Sequence, residues 1–434
     1  MKTKKEILEL IEQEDVEFIR LQFTDMFGNL KNLAVTPNQF VRVLDNKCVF
    51  DGSAMFGYMK YEEEDLYLYP DLDSFVILPW RPQQGKVARF LCDVYREDGT
   101  KYELSPRTIL KNVVQTAKEK GYTFYIDPEC EFFLFHTDEN GTPSTVTHEQ
   151  AGYMDVGPTD YGENARRDIV LTLEEMGFMI ESSHHETAPG QHEIDFEEDE
   201  PLPGADSLVT FKSAVRSAAK RFGLHATFMP KPKYGVAGSG MHINISMYKD
   251  GRNLFNSRNG SSELRDEAKW FMGGIMDHVK GICAISNPLV NSYKRITSGF
   301  MAPQNIVWSK KNINTLIRVR SRIGEDTKIE LRFPDSAANP YLVIAACLAA
   351  GKEGIEKQTD PGMPAPECYE ENAETDQLPS TLFDAVTHIN KDPLMEEVLG
   401  SRFIKIYTDA KMDEWKEYMS QVSDWEISKY LHRM

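Results

Sequence analysis

The side chains best suited to chemistry stand on stretches that otherwise read as apolar strands. Within 125–136, Glu129 and Glu131 are two residues apart and project from one face, while Phe132 and Leu134 project from the other. Within 241–247, His242, Asn244 and Ser246 share a face against Met241, Ile243 and Ile245. Within 328–333, Lys328, Glu330 and Arg332 oppose Ile329, Leu331 and Phe333. Glu193 lies in the extended run 192–196, with Glu186 just before it. Any one such strand is an ordinary half-exposed antiparallel strand. Several that each present carboxylates or His are less ordinary. Five glutamates and one imidazole, once brought together, repel one another unless cations stand among them. Hard divalent ions take oxygen ligands, so Mg²⁺ or Mn²⁺ fits this set. Zinc does not, because no Cys and only one His joins it.

A basic group follows: Lys294, Arg295, Arg318, Arg320, Arg322, Lys328 and Arg332. Arginine forks two parallel hydrogen bonds to carboxylate or phosphate. Carboxylates and arginines together point to metal-assisted chemistry on a phosphorylated, carboxylate-bearing substrate. There is no phosphate loop of the G-x-x-x-x-G-K-[S/T] kind and no G-x-G-x-x-G opening a helix. His184, His185, Glu186 and His192 imitate a zinc-protease motif, but Pro189-Gly190 breaks the helix such a motif needs.

The positioning elements can be read from periodicity. A helix is expected over 4–13 and a strand through Ile19, Leu21 and Phe23 to a turn at Gly28, with strand pieces at 75–78 and 87–95. Ser105-Pro106 is a helix start. A domain boundary is placed at 103, giving 1–103 as a small, mostly sheet domain and 104–434 as the larger part. In the latter, helices are expected at 106–120, 160–176, 206–222, 262–284 and from Pro340 onward. Strands are expected at 122–136, 241–247 and 328–333. This order suggests an α+β fold. The acidic runs 62–65 and 197–200 read as solvated surface.

The chain has 434 residues, room for two or three domains at ~150 residues each. Lys plus Arg total 49 against 68 Asp plus Glu, a net charge of −19, which argues against nucleic-acid binding. Six scattered cysteines form no C-x-x-C pair and read as reduced thiols of a cytoplasmic protein. The longest apolar run, 341–350, is half the ~20 residues a membrane span needs, so no membrane association is expected.

Seven segments together resemble bacterial type I glutamine synthetases, in order and nearly in spacing. They are Asp51-Gly52-Ser53, Glu129-Cys130-Glu131-Phe132-Phe133, the run from His185 to Glu193, Phe228-Met229-Pro230-Lys231-Pro232, Gly238-Ser239-Gly240-Met241-His242, Asn291-Ser292-Tyr293-Lys294-Arg295 and the run from Ala337 to Leu342. The resemblance implies a β-grasp-like N-terminal domain, a catalytic domain whose antiparallel sheet lines the active site, and a dodecamer of two hexameric rings with active sites between subunits. It implies ATP-dependent ligation of glutamate and ammonia through γ-glutamyl phosphate, with two or more Mg²⁺ or Mn²⁺ ions per site. By resemblance, Glu131, Glu186 and Glu193 hold one metal, and Glu129, His242 and Glu330 the other. Arg295, Arg332 and the Gly238 backbone hold glutamate. Arg318 and Lys328 meet the ATP phosphates, and Asn244 and Ser246 lie by the nucleotide. Asp51 of a neighbouring subunit and Tyr153 line the ammonium site, and Asp51 or Glu186 helps remove the proton.

Lys328 stands where most of the family has Arg, and four polar family positions are apolar here. Met301 replaces the flap Glu, Ala54 a Ser, Ala237 an Asn, and Ile313 an Arg. These leave open a γ-glutamyl ligase for a larger primary amine or polyamine, or a catalytically weak regulatory paralogue. All six metal positions are retained, which argues against the paralogue.

Overall fold

The computed structural model describes residues 2–53, 65–81, 84–256, 264–321, 327–367 and 375–433. Ala54, Glu62, Arg322 and Cys368 lie outside the described residues.

The helix Lys4–Gln13 forms as its pattern predicts, burying Ile7 and Ile11. Six strands follow: β1 (Val16–Thr24), β2 (Leu30–Val35), β3 (Val49–Asp51), β4 (Asp65–Pro70), β5 (Val76–Ile77) and β6 (Lys86–Arg96). They form one sheet in the order β2-β1-β6-β4-β3, with β5 also on β6. β1 and β6 run parallel. Ile19, Leu21 and Phe23 face the core, as their alternation predicts. The other face of β1 is covered toward the strand's C-terminal end. Gln22 and Thr24 are buried too. The Gly28 turn, at φ +85°, packs so closely on Asn339 that an added Cβ meets the Asn339 Cβ at 3.0 Å.

The larger part opens with the helix Pro106–Glu119, started by Pro106 at its first position. Its strands are β7 (Tyr122–His136), β8 (Ile180–His185), β9 (Gln191–Phe196), β10 (Leu224–Thr227), β11 (Met241–Lys249), β12 (Arg252–Asn253), β13 (Trp308–Ser309), β14 (Ile317–Ser321) and β15 (Thr327–Leu331). They form a nine-stranded sheet in the order β13-β14-β15-β11-β7-β9-β8, with β10 on β7 and β12 on β11. Within this sheet, among the described residues, only the β13–β14 pair is parallel. The fold is α+β, as expected.

Three expectations need correction. The helix expected at 206 begins at Pro201, because Pro201 and Pro203 fit a first turn whose N–H groups lack partners anyway. The strand expected to reach 333 pairs only to Leu331. The 197–200 run is not simply solvated: Glu198 pairs with Lys328 at 3.0 Å and Glu200 with Lys118 at 2.8 Å.

The helix Pro201–Arg221 covers one face of the sheet, where Phe211 meets Phe132 edge-on at 5.9 Å. Pro340–Lys357 is apolar nearly all round because it is buried nearly all round. Among the described residues, no helix is long and apolar enough to cross a membrane. Arg107 ties the two parts together. It bonds Asp71 and Asp93 at 2.7 Å each and Asp206 at 2.8 and 2.9 Å. The five described cysteines are buried and free.

Candidate active site

Strand register assembles the site. Across β7 and β9, Glu131 lies opposite Glu193 and Glu129 opposite Asp195. Across β7 and β11, His242 lies opposite Glu129 and Asn244 opposite Asp127. Glu330 on β15 stands between Asn244 on β11 and Arg318 on β14. The result is a cavity of about 580 Å³ lined by Glu129, Glu131, Glu186, Glu193, His242 and Glu330. Tyr153, Gly238, Arg295, Arg318 and Arg332 line it as well.

Two glycines let the chain come this close. An added Cβ on Gly238 meets the Pro230 carbonyl oxygen at 2.2 Å. One on Gly240 meets Arg295 Nη2 at 2.8 Å and His242 Nε2 at 3.1 Å. Any larger residue at Gly240 displaces the arginine or the imidazole, and one at Gly238 displaces the Pro230 backbone.

Directly opposed carboxylates destabilise a sheet, and the electrostatics show the conflict. Burial, then the charge of Glu186, pushes Glu131 up to about 8. Burial, then Glu131 and the other nearby carboxylates, pushes Glu193 well above the usual range. Burial also opposes ionisation of Glu129, but bonds to His242 and Asn244 and the charge of Arg320 outweigh it and hold that carboxyl low. His242 is pushed down by burial and Arg332 and so favours its neutral, metal-ligating form. Glu129, His242 and Glu330 bring one donor atom each within 4.8 Å of the others, as do Glu131, Glu193 and His242. Strained, oxygen-rich and converging, this donor set fits hard divalent cations.

The protein's own cations and amides meet part of this charge. Arg318 Nε lies 2.6 Å from Glu330, Arg332 pairs with the same carboxylate, and Arg320 pairs with Glu129. Gln191 Nε2 donates to Glu131 at 2.8 Å and the Gly240 N–H donates to it at the same distance. Glu186 is turned onto His184 Nε2 at 3.1 Å and accepts from the Thr187 N–H at 2.8 Å. Buried Arg295 donates to the carbonyls of Phe333 and Arg332 at 3.1 and 3.2 Å. Exposed Tyr153 stands edge-on to His184 at 5.3 Å.

Some expected members lie beside the cavity rather than on its wall. Asn244 bridges the Asp127 carbonyl and Glu129 at 3.1 and 3.0 Å. Ser246 donates to Glu198 at 3.2 Å, and Lys328 pairs with Asp127 and Glu198 at 3.0 Å each. Burial pushes Asp127 up to about 7 despite that lysine. Asp51 ends β3, is exposed, accepts from Ser53 Oγ at 2.6 Å, and is not on this chain's cavity wall. Lys294 leaves the basic group altogether, lying over the Tyr418 ring at 5.1 Å. Three departures from the family pattern, Ala237, Met301 and Ile313, do line the cavity.

Gln191 and Asp195 on the wall have no role in the sequence reading, while Arg320 enters it only as one of the basic group and His184 only as part of a spurious zinc motif. Arg320 had a visible signal, since Ile317, Arg318, Val319 and Arg320 alternate like the other site strands. Asp195 carried one too, two residues from Glu193 on the same face.

Comparison with known proteins agrees with this geometry. Residues 15–97 match the family description "Glutamine synthetase, beta-Grasp domain" and residues 103–430 match "Glutamine synthetase, catalytic domain". The chain is 50% identical over 440 residues to a glutamine synthetase of Clostridium saccharobutylicum, covering 99% of each. It is 47% identical over 437 residues to one of Staphylococcus aureus, covering 99% of this chain and 98% of that one. A solved structure described as a GmaS/ADP complex superposes with TM-score 0.89 at 33% identity, over 98% of this chain and 99% of that chain. With both parts matched in order and the likeness running end to end, the chain belongs to the glutamine synthetase family.

Proposed function

We propose that this protein is an ATP-dependent glutamate–ammonia ligase. The γ-carboxylate of glutamate takes the terminal phosphoryl group of ATP, and ammonia then displaces phosphate to give glutamine. One observation carries the reading: six acid and imidazole residues, five of them from strands β7, β9, β11 and β15, converge with four arginines in one cavity.

Glu131, Glu186 and Glu193 would hold one Mg²⁺ or Mn²⁺, and Glu129, His242 and Glu330 another. Bound there, the ions supply charge neutralisation for the phosphates. Arg295, Arg332 and the Gly238 backbone hold glutamate. Arg318 stabilises the charge spread over the transferring phosphoryl group. Asn244, Ser246 and Lys328 serve the nucleotide, whose phosphates replace Glu198 and Asp127 as partners of Lys328. The ADP named for the similar structure supports a nucleotide site. Tyr153 and the Asp51 of a neighbouring subunit receive ammonium, and Asp51 or Glu186 takes its proton so that the amine can attack. This arrangement requires an oligomer, a dodecamer by family resemblance, of cytoplasmic subunits divided near residue 103.

Phosphate release with ATP and glutamate, assayed against ammonium, methylamine, ethanolamine and polyamines, tests the reading. Ammonium is expected to give the highest kcat/KM. Turnover with a larger amine and none with ammonium would reject it.

A further inference from the structure

A second cavity, of about 890 Å³, lies between the N-terminal sheet and the helix Pro201–Arg221 on the other side of the catalytic sheet. Its wall carries five cationic side chains, Arg20, Lys212, Arg216, Lys220 and Lys411, against the single carboxylate of Glu414. That carboxylate is already taken, 2.9 Å from Lys411 and accepting from the Val290 N–H at 3.2 Å. Among the described residues, Arg20, Arg216 and Lys220 make no ion pair. In a chain of net charge −19, unpaired cations on one cleft are unexpected.

Their placement costs stability. Lys212, Arg216 and Lys220 succeed one another at four-residue spacing and so stack on one helix face, where like charges repel. Arg20 faces them from β1. Lys212 donates one hydrogen bond, to the Ala338 carbonyl at 2.9 Å, leaving two ammonium protons without a protein acceptor among the described residues. A concave wall of one sign concentrates its field and attracts counter-ions. The volume falls in the range of small-molecule sites.

We propose that this interdomain cleft binds a small metabolite carrying two or more anionic groups, carboxylate or phosphate. Its floor is tied to the catalytic site. Ser336 lines the cleft, and its hydroxyl lies 2.7 Å from the carbonyls of both Glu131 and Gly240. An occupant therefore rests on the segment that holds a metal-site carboxylate. The inference rests on the cleft's charges and is independent of the reaction assigned above.

Calorimetric titration of the full-length protein with citrate, and separately with inorganic pyrophosphate, in metal-free buffer tests this and distinguishes the two anion types. At least one is expected to bind with Kd below about 1 mM. R216E/K220E, and independently R20E from the opposite wall, should each weaken that binding at least tenfold. Ammonium-dependent turnover without added anion should be unchanged in these variants. Absence of binding by either probe overturns the proposal, as does binding that survives both charge reversals. Binding seen only after the assembly is dissociated overturns it too, because a second copy of the chain then fills the cleft.

Discussion

The two faces of the catalytic sheet handle charge in opposite ways. On the cavity side, Arg318, Arg320 and Arg332 each hold a carboxylate, and opposed glutamates sit ready for cations. On the cleft side, Arg20, Arg216 and Lys220 stand without acidic partners among the described residues. Paired charges fix a geometry that an incoming ion or phosphate can take over by exchange. Unpaired charges only attract. The difference between exchange and attraction separates a site built for turnover from one built for capture, and each prediction below tests that contrast.

The largest effect belongs to the cavity. Glu129→Ala or Glu193→Ala leaves a cation under-coordinated, so ATP- and glutamate-dependent turnover should fall by ~10³-fold, the scale of losing a charge-stabilising group. Mn²⁺ binding, followed by calorimetry, should weaken in parallel. Unchanged turnover and metal affinity in both variants would remove the cavity from catalysis.

The same contrast explains what was legible in the sequence. Strand alternation put Glu129, Glu131, His242 and Glu330 on common faces before any register was known, because a period of two survives in the sequence. Arg320 and Asp195 obey the same rule, yet in sequence Arg320 reads only as one of a basic group and Asp195 carries no expectation. The cleft left only a partial trace, the four-residue spacing of Lys212, Arg216 and Lys220. Arg20 sits on a strand of one domain and Lys212 to Lys220 on a helix of the other, and only tertiary packing makes them neighbours. The N-terminal strands β2, β3 and β4 were missed for a related reason. They are short, β2 and β3 contain no buried residue, and β4 alternates Leu with Tyr, so its alternating burial does not show in residue type. Lys294 shows the opposite error, since closeness in sequence to Arg295 put it in a group from which its helix turns it away.

Met301 tests whether the cavity lacks a base. It lines the wall where the family flap usually carries Glu, and a thioether can neither accept a proton nor offset an ammonium ion's desolvation. Met301→Glu should raise kcat/KM for ammonium by up to ~10²-fold and leave ATP affinity nearly unchanged. No change would assign proton removal wholly to other carboxylates.

Acidity tests the opposed glutamates. Glu131 is raised from 4.5 to about 8, so across that window the metal-free folded state binds more protons than the unfolded state. Its stability therefore falls as pH rises through the window, and a bound cation cancels the penalty. Apparent Mg²⁺ affinity should increase up to about tenfold per pH unit between about pH 6 and pH 8, with proton release that scales calorimetric heat with buffer ionisation. Flat affinity over that range would mean these carboxylates do not share the ion.

The smallest effect tests the contrast most directly. Arg320→Gln on the cavity side frees Glu129 of its cation and should cost the metal-free protein about 1 kcal/mol in denaturant unfolding, less when Mn²⁺ is present. Arg216→Gln on the cleft side removes a cation that has no acid to lose. It loses the contact with the Phe228 ring, whose centroid lies 5.1 Å from the guanidinium, worth ~0.5–1 kcal/mol at an exposed site. It also relieves two like-charge helix contacts, to Lys212 and Lys220, worth ~0.2–0.5 kcal/mol each. The two terms oppose each other at similar size, so stability should move by less than ~0.5 kcal/mol in either direction. A loss as large as that of Arg320→Gln would mean the assembled protein supplies Arg216 with a carboxylate from a second copy. The cleft would then be an interface, and the two faces of the sheet would follow one rule.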